Sequence, residues 1–464
     1  MKISISRYMP TIVAAVVMTF FTVYMFYPGI INADSANQLS QARLFKFADW
    51  HPPIMSFLWF LLNHIHDGAP VMLVFHNLVF WFALSLLAFW ISPHSNLYRI
   101  LFLIVFGFFP TVLAQLGTVF KDTAMSFSLF LASVLFLYAG RATIKIKLVI
   151  FLVIAIIFLF YGFAVRLNST PAVIVLCLWF GDIVSKKKFF KSILIGVALF
   201  ILLFVGKQII TTKVLRPVKT YPFQQVQLHD LTAISLAQKQ PIFPGYIIRS
   251  PNFNMEKLQS SYTAANVGEL IFSNNSVILL TNDKDYIQNL NKVWWHNIRQ
   301  HPWNYLKHRL NVFTYMISSC VAFWDDVCRV SLYNFQPGFI YNLYCKLSLD
   351  GPLKFLFHSW VYIINSVVIA VVAIRLRQKL PDFNAMIYLI SSGLLYVIGS
   401  FFYAPSCEFR YVYWEVLASL FALSLFVKDV ILCPGQSGDP RVKPEDDKII
   451  RPEDDKITQA EDDR

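Results

Sequence analysis

Asp34, Asp49 and His51 share one short polar stretch, and together they carry the chemistry of proton transfer. A carboxylate can take the proton of an acceptor hydroxyl or amine, and an imidazole can give or relay one. Lys121, Arg166 and Arg410 stand near the ends of separate apolar segments, where a lone cation needs a counter-charge. A phosphate is a natural one, because guanidinium grips it as a bidentate fork and ammonium as a point charge. Neighbouring acids offer a plainer alternative: Lys121 adjoins Asp122, and Glu408 lies two residues before Arg410. Asp34 has a plain reading too, since Asn32-Ala33-Asp34-Ser35 has the form of a helix cap and first turn. Asn168, Trp295, His301 and Tyr305 are polar or amphipathic groups suited to an acceptor or to the membrane interface.

The elements that must position these groups are apolar. Of 464 residues 56% are hydrophobic and 14% charged, and the mean hydropathy is +0.54, which points to a polytopic membrane protein rather than a soluble domain. A bilayer core of about 30 Å takes about 20 apolar residues per helix. Ten spans are therefore expected, at 10–28, 69–91, 98–117, 123–139, 148–164, 170–184, 189–210, 358–375, 385–403 and 411–428. The shorter apolar stretches 54–66 and 311–324 are expected to lie in the interface or re-enter. With the N-terminus inside, short inner segments hold 14 basic residues, against five in the outer ones: Arg43, Lys46, Lys121, Arg166 and Arg410. That asymmetry puts both termini in the cytoplasm and faces 29–68, 211–357 and 404–410 outward. The first span is expected to be a retained anchor rather than a cleaved signal.

The expected architecture is all-α: an N-terminal transmembrane module 1–210 with its first outer loop 29–68, a mainly helical extracytoplasmic insertion 211–357, and C-terminal transmembrane helices 358–430. In the first loop, Asp34, Gln38 and Gln41 share one face of a short helix, which ends before Asp49-Trp50-His51-Pro52-Pro53. In the insertion, Asp283 to Met316 reads as an amphipathic helix pair broken at His301-Pro302, with Trp294, Trp295, Trp303 and Tyr305 at headgroup depth. The net charge of +13 hides a segment, 434–464, with six basic and ten acidic residues in near-repeats. Residues 431–464 are thus expected to be a disordered, dispensable tail resembling a translated repetitive element. Basic residues beside a bilayer suit anionic lipid, and no nucleic-acid signature is present, so nucleic acid is not an expected partner. Among six cysteines, Cys320, Cys328, Cys345 and Cys407 fall outside, where three disulfide pairings are open. Cys177 and Cys433 do not, and no spacing fits a zinc site.

An acid in the first outer loop, cations at the outer ends of later spans and a large outer insertion together resemble the GT-C superfamily of membrane glycosyltransferases. The matching stretches are Tyr27-Pro28-Gly29 through Asp34, Asp49-Trp50-His51-Pro52, Lys121-Asp122, Val165-Arg166-Leu167-Asn168, Trp295 with His301-Pro302 and Tyr305, and Phe409-Arg410-Tyr411. They are spread over most of residues 1–430. The resemblance implies a catalytic Asp, carried onto Asp34, and a sugar donor linked to a polyprenyl phosphate. Asp49 and His51 are then a second acid or orienting groups, and Lys121, Arg166 and Arg410 the ligands of the donor phosphate. Asn168, Trp295, His301 and Tyr305 serve the acceptor or interface. The expected setting is the outer face of a bacterial inner membrane, with an inverting transfer to an envelope lipid, glycan or protein. The chain departs from the best-known members in having Ser35 rather than a second acid after Asp34. That favours a metal-free reaction like those of the protein mannosyltransferases and the lipid A aminoarabinose transferases; no cofactor is assigned, and a divalent metal stays open but is not favoured. The rival expectations are an oligosaccharide polymerase or ligase, which uses a diphosphate-linked glycan, and a transporter or flippase of lipid-linked glycans. A transporter would set its ionisable groups at the bilayer midplane or show repeated halves.

Overall fold

The computed structural model describes residues 8–248, 253–273, 276–318, 338–349 and 351–432. Among the described residues the secondary structure is helical, with four isolated β-bridges and no strand. The chain begins with α1 (Met9–Phe26), and its first loop carries α2 (Ala33–Leu44) and α3 (Ile54–Leu62). Next come α4 (Ala69–Ile91), α5 (Asn96–Gly107), α6 (Pro110–Leu116), α7 (Lys121–Gly140), α8 (Lys145–Val165), α9 (Thr170–Ser185) and α10 (Phe189–Ile209). The insertion holds α11 (Gln224–Gln238), α12 (Met255–Ser260), α13 (Gly268–Ile271), α14 (Lys284–Gln300), α15 (Pro302–Ser318) and α16 (Phe339–Leu349). The chain returns to apolar helices with α17 (Ser359–Arg375), α18 (Phe383–Tyr403) and α19 (Tyr413–Val427).

All ten expected stretches are helical, but they are not ten full-length spans. Among the described residues seven helices are long and apolar enough to cross a membrane, or eight if α5 and α6 count as one. That pair is bent by 75°, because Phe109 is extended ahead of Pro110, which has no N–H to continue a helix. α17 has 17 residues, and α19 has 15 because the turn Phe409–Val412 takes up the residues before it. The stretch 54–66 contributes α3, and the part of 311–324 beyond Ser318 lies outside the described residues, as do Cys320, Cys328, Cys433 and the charged tail. Cys177 is buried and Cys345 is disulfide-bonded.

α7 is the central helix, buried along nearly its whole length and packed against α4, α8, α9 and α19. Its Phe127 and Phe130 join Phe80, Phe106 and Phe421 in a ladder of ring contacts with centroids 4.9–5.8 Å apart. α9 and α10 touch backbone to backbone at Gly181, where a Cβ would collide with the Ser192 carbonyl. At the C-terminal end of α7 the bundle is pinned by Asp382, which accepts from Arg141 at 2.6 Å, Lys428 at 2.7 Å and the Trp90 indole at 2.8 Å.

The insertion sits on the other end of α7. Backbone bonds Asp49 N to Val218 O (3.0 Å) and Val218 N to Phe47 O (2.9 Å) tie it to the first loop. Val267 N to Pro405 O (3.1 Å) and Cys407 N to Ala265 O (2.9 Å) tie it to the segment after α18. The expected amphipathic pair is α14 and α15, broken at His301-Pro302. Trp294, expected at headgroup depth, is instead 7% exposed and packs with Leu228, Leu231 and Leu290 in a separate core, while Trp295 and Trp303 are exposed.

Candidate functional site

Three short elements bring distant residues together at the N-terminal end of α7. The Asn32 side chain accepts from Ser35 N at 3.0 Å and caps α2, which sets Asp34 in its first turn, favoured for an acid by the helix dipole. A parallel bridge between Ile30 and Thr118 and a bond from Ser35 Oγ to Val119 O (2.6 Å) fasten that turn to the residues before α7. Gly29 makes the approach feasible, with φ of +107° and Val119 against the place of any Cβ. Lys121 then follows as the first residue of α7.

The resulting contacts are close and charged. Lys121 Nζ lies 3.2 Å from Asp34 Oδ2 and 2.6 Å from His51 Nδ1. An ammonium only donates, so Nδ1 of His51 accepts and its Nε2 carries the ring proton, 3.6 Å from Asp34 Oδ1. Arg410, from the turn Phe409–Val412, puts Nη1 3.2 Å from Asp34 Oδ2 and donates from Nε to Glu408. Arg166, where α8 ends, reaches the fully buried Asp122 at 2.9 Å and lies 4.7 Å from the centroid of the Tyr411 ring. Arg410 Nη1 is also 4.0 Å from Asp122 Oδ2, so the two groups of charges are continuous. Three cations therefore face three carboxylates, and only two of those carboxylates keep appreciable exposure: Asp34 and Glu408 retain 29% of their side-chain surface, while Asp122, Lys121, Arg166, Arg410 and His51 retain 9% or less.

Burial alone would raise the Asp34 carboxyl, but Lys121 and Arg410 outweigh it and hold it well below the ordinary carboxylate range. The His51 imidazole is pushed down to about 3, by burial first and by Lys121 second, so it is neutral at physiological pH. Burial disfavours the charged form of Arg410, yet Glu408 and Asp34 hold it protonated well above its usual range. The Gln38 amide, one turn along α2 from Asp34, is fully buried without a hydrogen bond to the described residues.

The other expected residues divide. Asp49 is spent on the fold: its Oδ1 accepts from Thr220 N (2.6 Å) and Thr220 Oγ1 (2.8 Å), and Lys219 lies 3.2 Å from Oδ2. Asn168 lies in the turn beyond Arg166, where its carbonyl accepts from the Tyr403 hydroxyl at 3.0 Å. Trp295, His301 and Tyr305 are in the insertion, away from Asp34: Trp295 is exposed against Trp294, His301 ends α14, and Tyr305 lies under the Arg309 guanidinium at 6.0 Å. Sequence reasoning missed a second buried charge cluster, Asp230 with His308 and Arg309; its only signal was an acid and two bases on the apolar faces of amphipathic helices. No group of three His, Cys, Asp or Glu side chains among the described residues is arranged to hold a metal ion. Comparison with protein-family models, curated proteins and solved structures gives no match for this chain.

Proposed function

We propose that the chain is a membrane glycosyltransferase that moves a sugar from a polyprenyl-phosphate donor to an envelope lipid, glycan or protein acceptor. In this reading it is a multi-pass protein of a bacterial inner membrane, with both termini cytoplasmic and Asp34 and the insertion on the extracytoplasmic side. The observation that carries the reading is the contact of Asp34 with both Lys121 and Arg410 at 3.2 Å, which sets a proton acceptor beside two ligands for phosphate.

The reaction balances on these groups. An acceptor oxygen or nitrogen forms a bond to the anomeric carbon while the bond from that carbon to the phosphate oxygen breaks. The bonding pair leaves on the phosphate, stabilised by Lys121 and Arg410, and the acceptor's proton passes to Asp34. A single displacement of this kind inverts the anomeric centre. Arg166 acts from behind, by neutralising Asp122 under Arg410.

Before the donor arrives, Asp34 is a weak base, because the cations that will hold the phosphate hold it first. A phosphate that draws Lys121 and Arg410 to itself raises the proton affinity of the carboxylate, so the base becomes competent when the donor is in place. Asp34 is accordingly a competitor of the donor as well as its partner in catalysis. The test is binding of undecaprenyl phosphate to the full chain in nanodiscs. Arg410→Ala and Lys121→Ala weaken binding by roughly tenfold or more, whereas Asp34→Asn tightens it. A wild type that does not bind the lipid phosphate contradicts the proposal.

A further inference from the structure

The second buried cluster lies between the insertion and the bundle, and nothing in the reaction above uses it. Asp230 of α11 and Arg309 of α15 are fully buried and 2.6 Å apart through Oδ1 and Nη2. The other carboxylate oxygen of Asp230 accepts from the Trp294 indole at 2.8 Å, and His308 Nε2 lies 3.3 Å from Oδ1. His308 Nδ1 is in turn 2.8 Å from the Tyr262 hydroxyl. Arg309 has a further arm: Nη1 donates to the carbonyl of Ala404 at 3.0 Å. Ala404 caps α18 and opens the segment that leads through Pro405, Ser406 and Cys407 to Glu408 and Arg410. The same segment is gripped from the insertion by Val267 N to Pro405 O and Cys407 N to Ala265 O.

We propose that Arg309, fixed by Asp230, is a positioning residue that sets Arg410 for its phosphate. The inference rests on the donor-binding role of Arg410 proposed above. A guanidinium suits the task because it can bind a carboxylate through one nitrogen and a carbonyl through another in a single plane. One Asp–Arg pair thereby joins three bodies: α11, α15 and the strap that carries Arg410. Burial keeps the pair dry, so its geometry is held against competition from water. The consequence is that the insertion determines where the most buried cation of the site stands.

Truncating Arg309 would strand Asp230 and endanger folding, so the informative variant is Arg309→Lys, which keeps the charge beside Asp230 and loses the arm to Ala404. Two readouts on the full chain in nanodiscs separate this inference from the one beneath it. Hydrogen–deuterium exchange reads the strap directly: Arg309→Lys speeds exchange across 404–412 severalfold and leaves 33–44 as in wild type. Binding of undecaprenyl phosphate reads the consequence: Arg309→Lys weakens it roughly three- to tenfold, and that loss vanishes in an Arg410→Lys background, because the two residues act through one contact. Unchanged exchange at 404–412 overturns the anchor. Faster exchange with wild-type binding, or with a loss that persists in the Arg410→Lys background, overturns the positioning of Arg410. A wild type that fails to bind the lipid phosphate contradicts the donor site instead, and the exchange result still decides the anchor.

Discussion

At the scale of single residues the site is a balance of charge in which one member, Asp34, keeps 29% of its side-chain surface while Lys121 and Arg410 hold it; in the proposed reaction the carboxylate meets the acceptor and the cations take the phosphate. Asn keeps the shape of Asp and its place in the first turn of α2, but it cannot take a proton. Asp34→Asn is therefore expected to lose roughly 10²–10⁴ in turnover while its affinity for lipid phosphate rises, as read by steady-state kinetics and nanodisc binding. Weaker binding in that variant would remove Asp34 from the cation pair. Arg166 and Arg410 look equivalent in the sequence, yet Arg166 faces an Asp122 with no exposed surface. Arg166→Ala takes away the nearer partner of that carboxylate and leaves it buried with only Arg410 at 4.0 Å, at a cost of roughly 3 kcal/mol, so it should melt at a clearly lower temperature in detergent. An unchanged melting temperature with poor donor binding would make Arg166 a direct phosphate ligand. The residue types of the site were legible in the sequence, and so were the cap at Asn32 and the pairing of Arg410 with Glu408. The crossed pairing of Lys121 with Asp34 rather than Asp122 was not, because it depends on how the Ile30–Thr118 bridge brings two distant segments together.

At the scale of elements, the apolar periodicity located every helix that carries a site residue in the bundle, and the break at His301-Pro302 was visible for the same reason that any proline is. Continuity was not visible: hydropathy averages over the 75° bend between α5 and α6, and it cannot tell that α19 gives up its first turn to the strap bearing Arg410. Asp49 shows the other limit, since its partners at Thr220 and Lys219 are reached only through the fold. Its job is to hold the first loop against the insertion. Asp49→Asn should thus cost about 1 kcal/mol of stability and much less turnover than Asp34→Asn, measured by thermal unfolding and kinetics in parallel. A larger loss of turnover at Asp49 would transfer the role of base to it.

At the scale of the whole molecule, the polar investment is concentrated at one end of the bundle, and buried histidines set how that end responds to acid. His51 faces Lys121, Asp34 and Arg410, and His229 faces His308, Arg309 and Asp230; burial pushes both imidazoles down to about 3. Both stay neutral in the fold while an unfolded chain protonates them near pH 6.5, so their contribution to stability is complete above that pH and shrinks as pH falls toward 3. The depressed carboxyls of Asp34 and Asp230 act in the same sense only below about pH 4, where the unfolded chain begins to take up their protons. Melting temperature should therefore fall between pH 7 and pH 5, with a shallower fall in His229→Asn; a flat profile over that interval would mean that the imidazoles are hydrated and charged in the fold.

Whether Asp34 drives sugar transfer from a lipid phosphate is decided by mass spectrometry of lipid-linked sugars and envelope glycans from cells whose only copy of the chain carries Asp34→Asn at wild-type abundance. The expected outcome is an accumulated polyprenyl-phosphate sugar together with the loss of one sugar from an envelope acceptor, matching a deletion strain. Lipid and glycan profiles identical to wild type in the Asp34→Asn strain would contradict it.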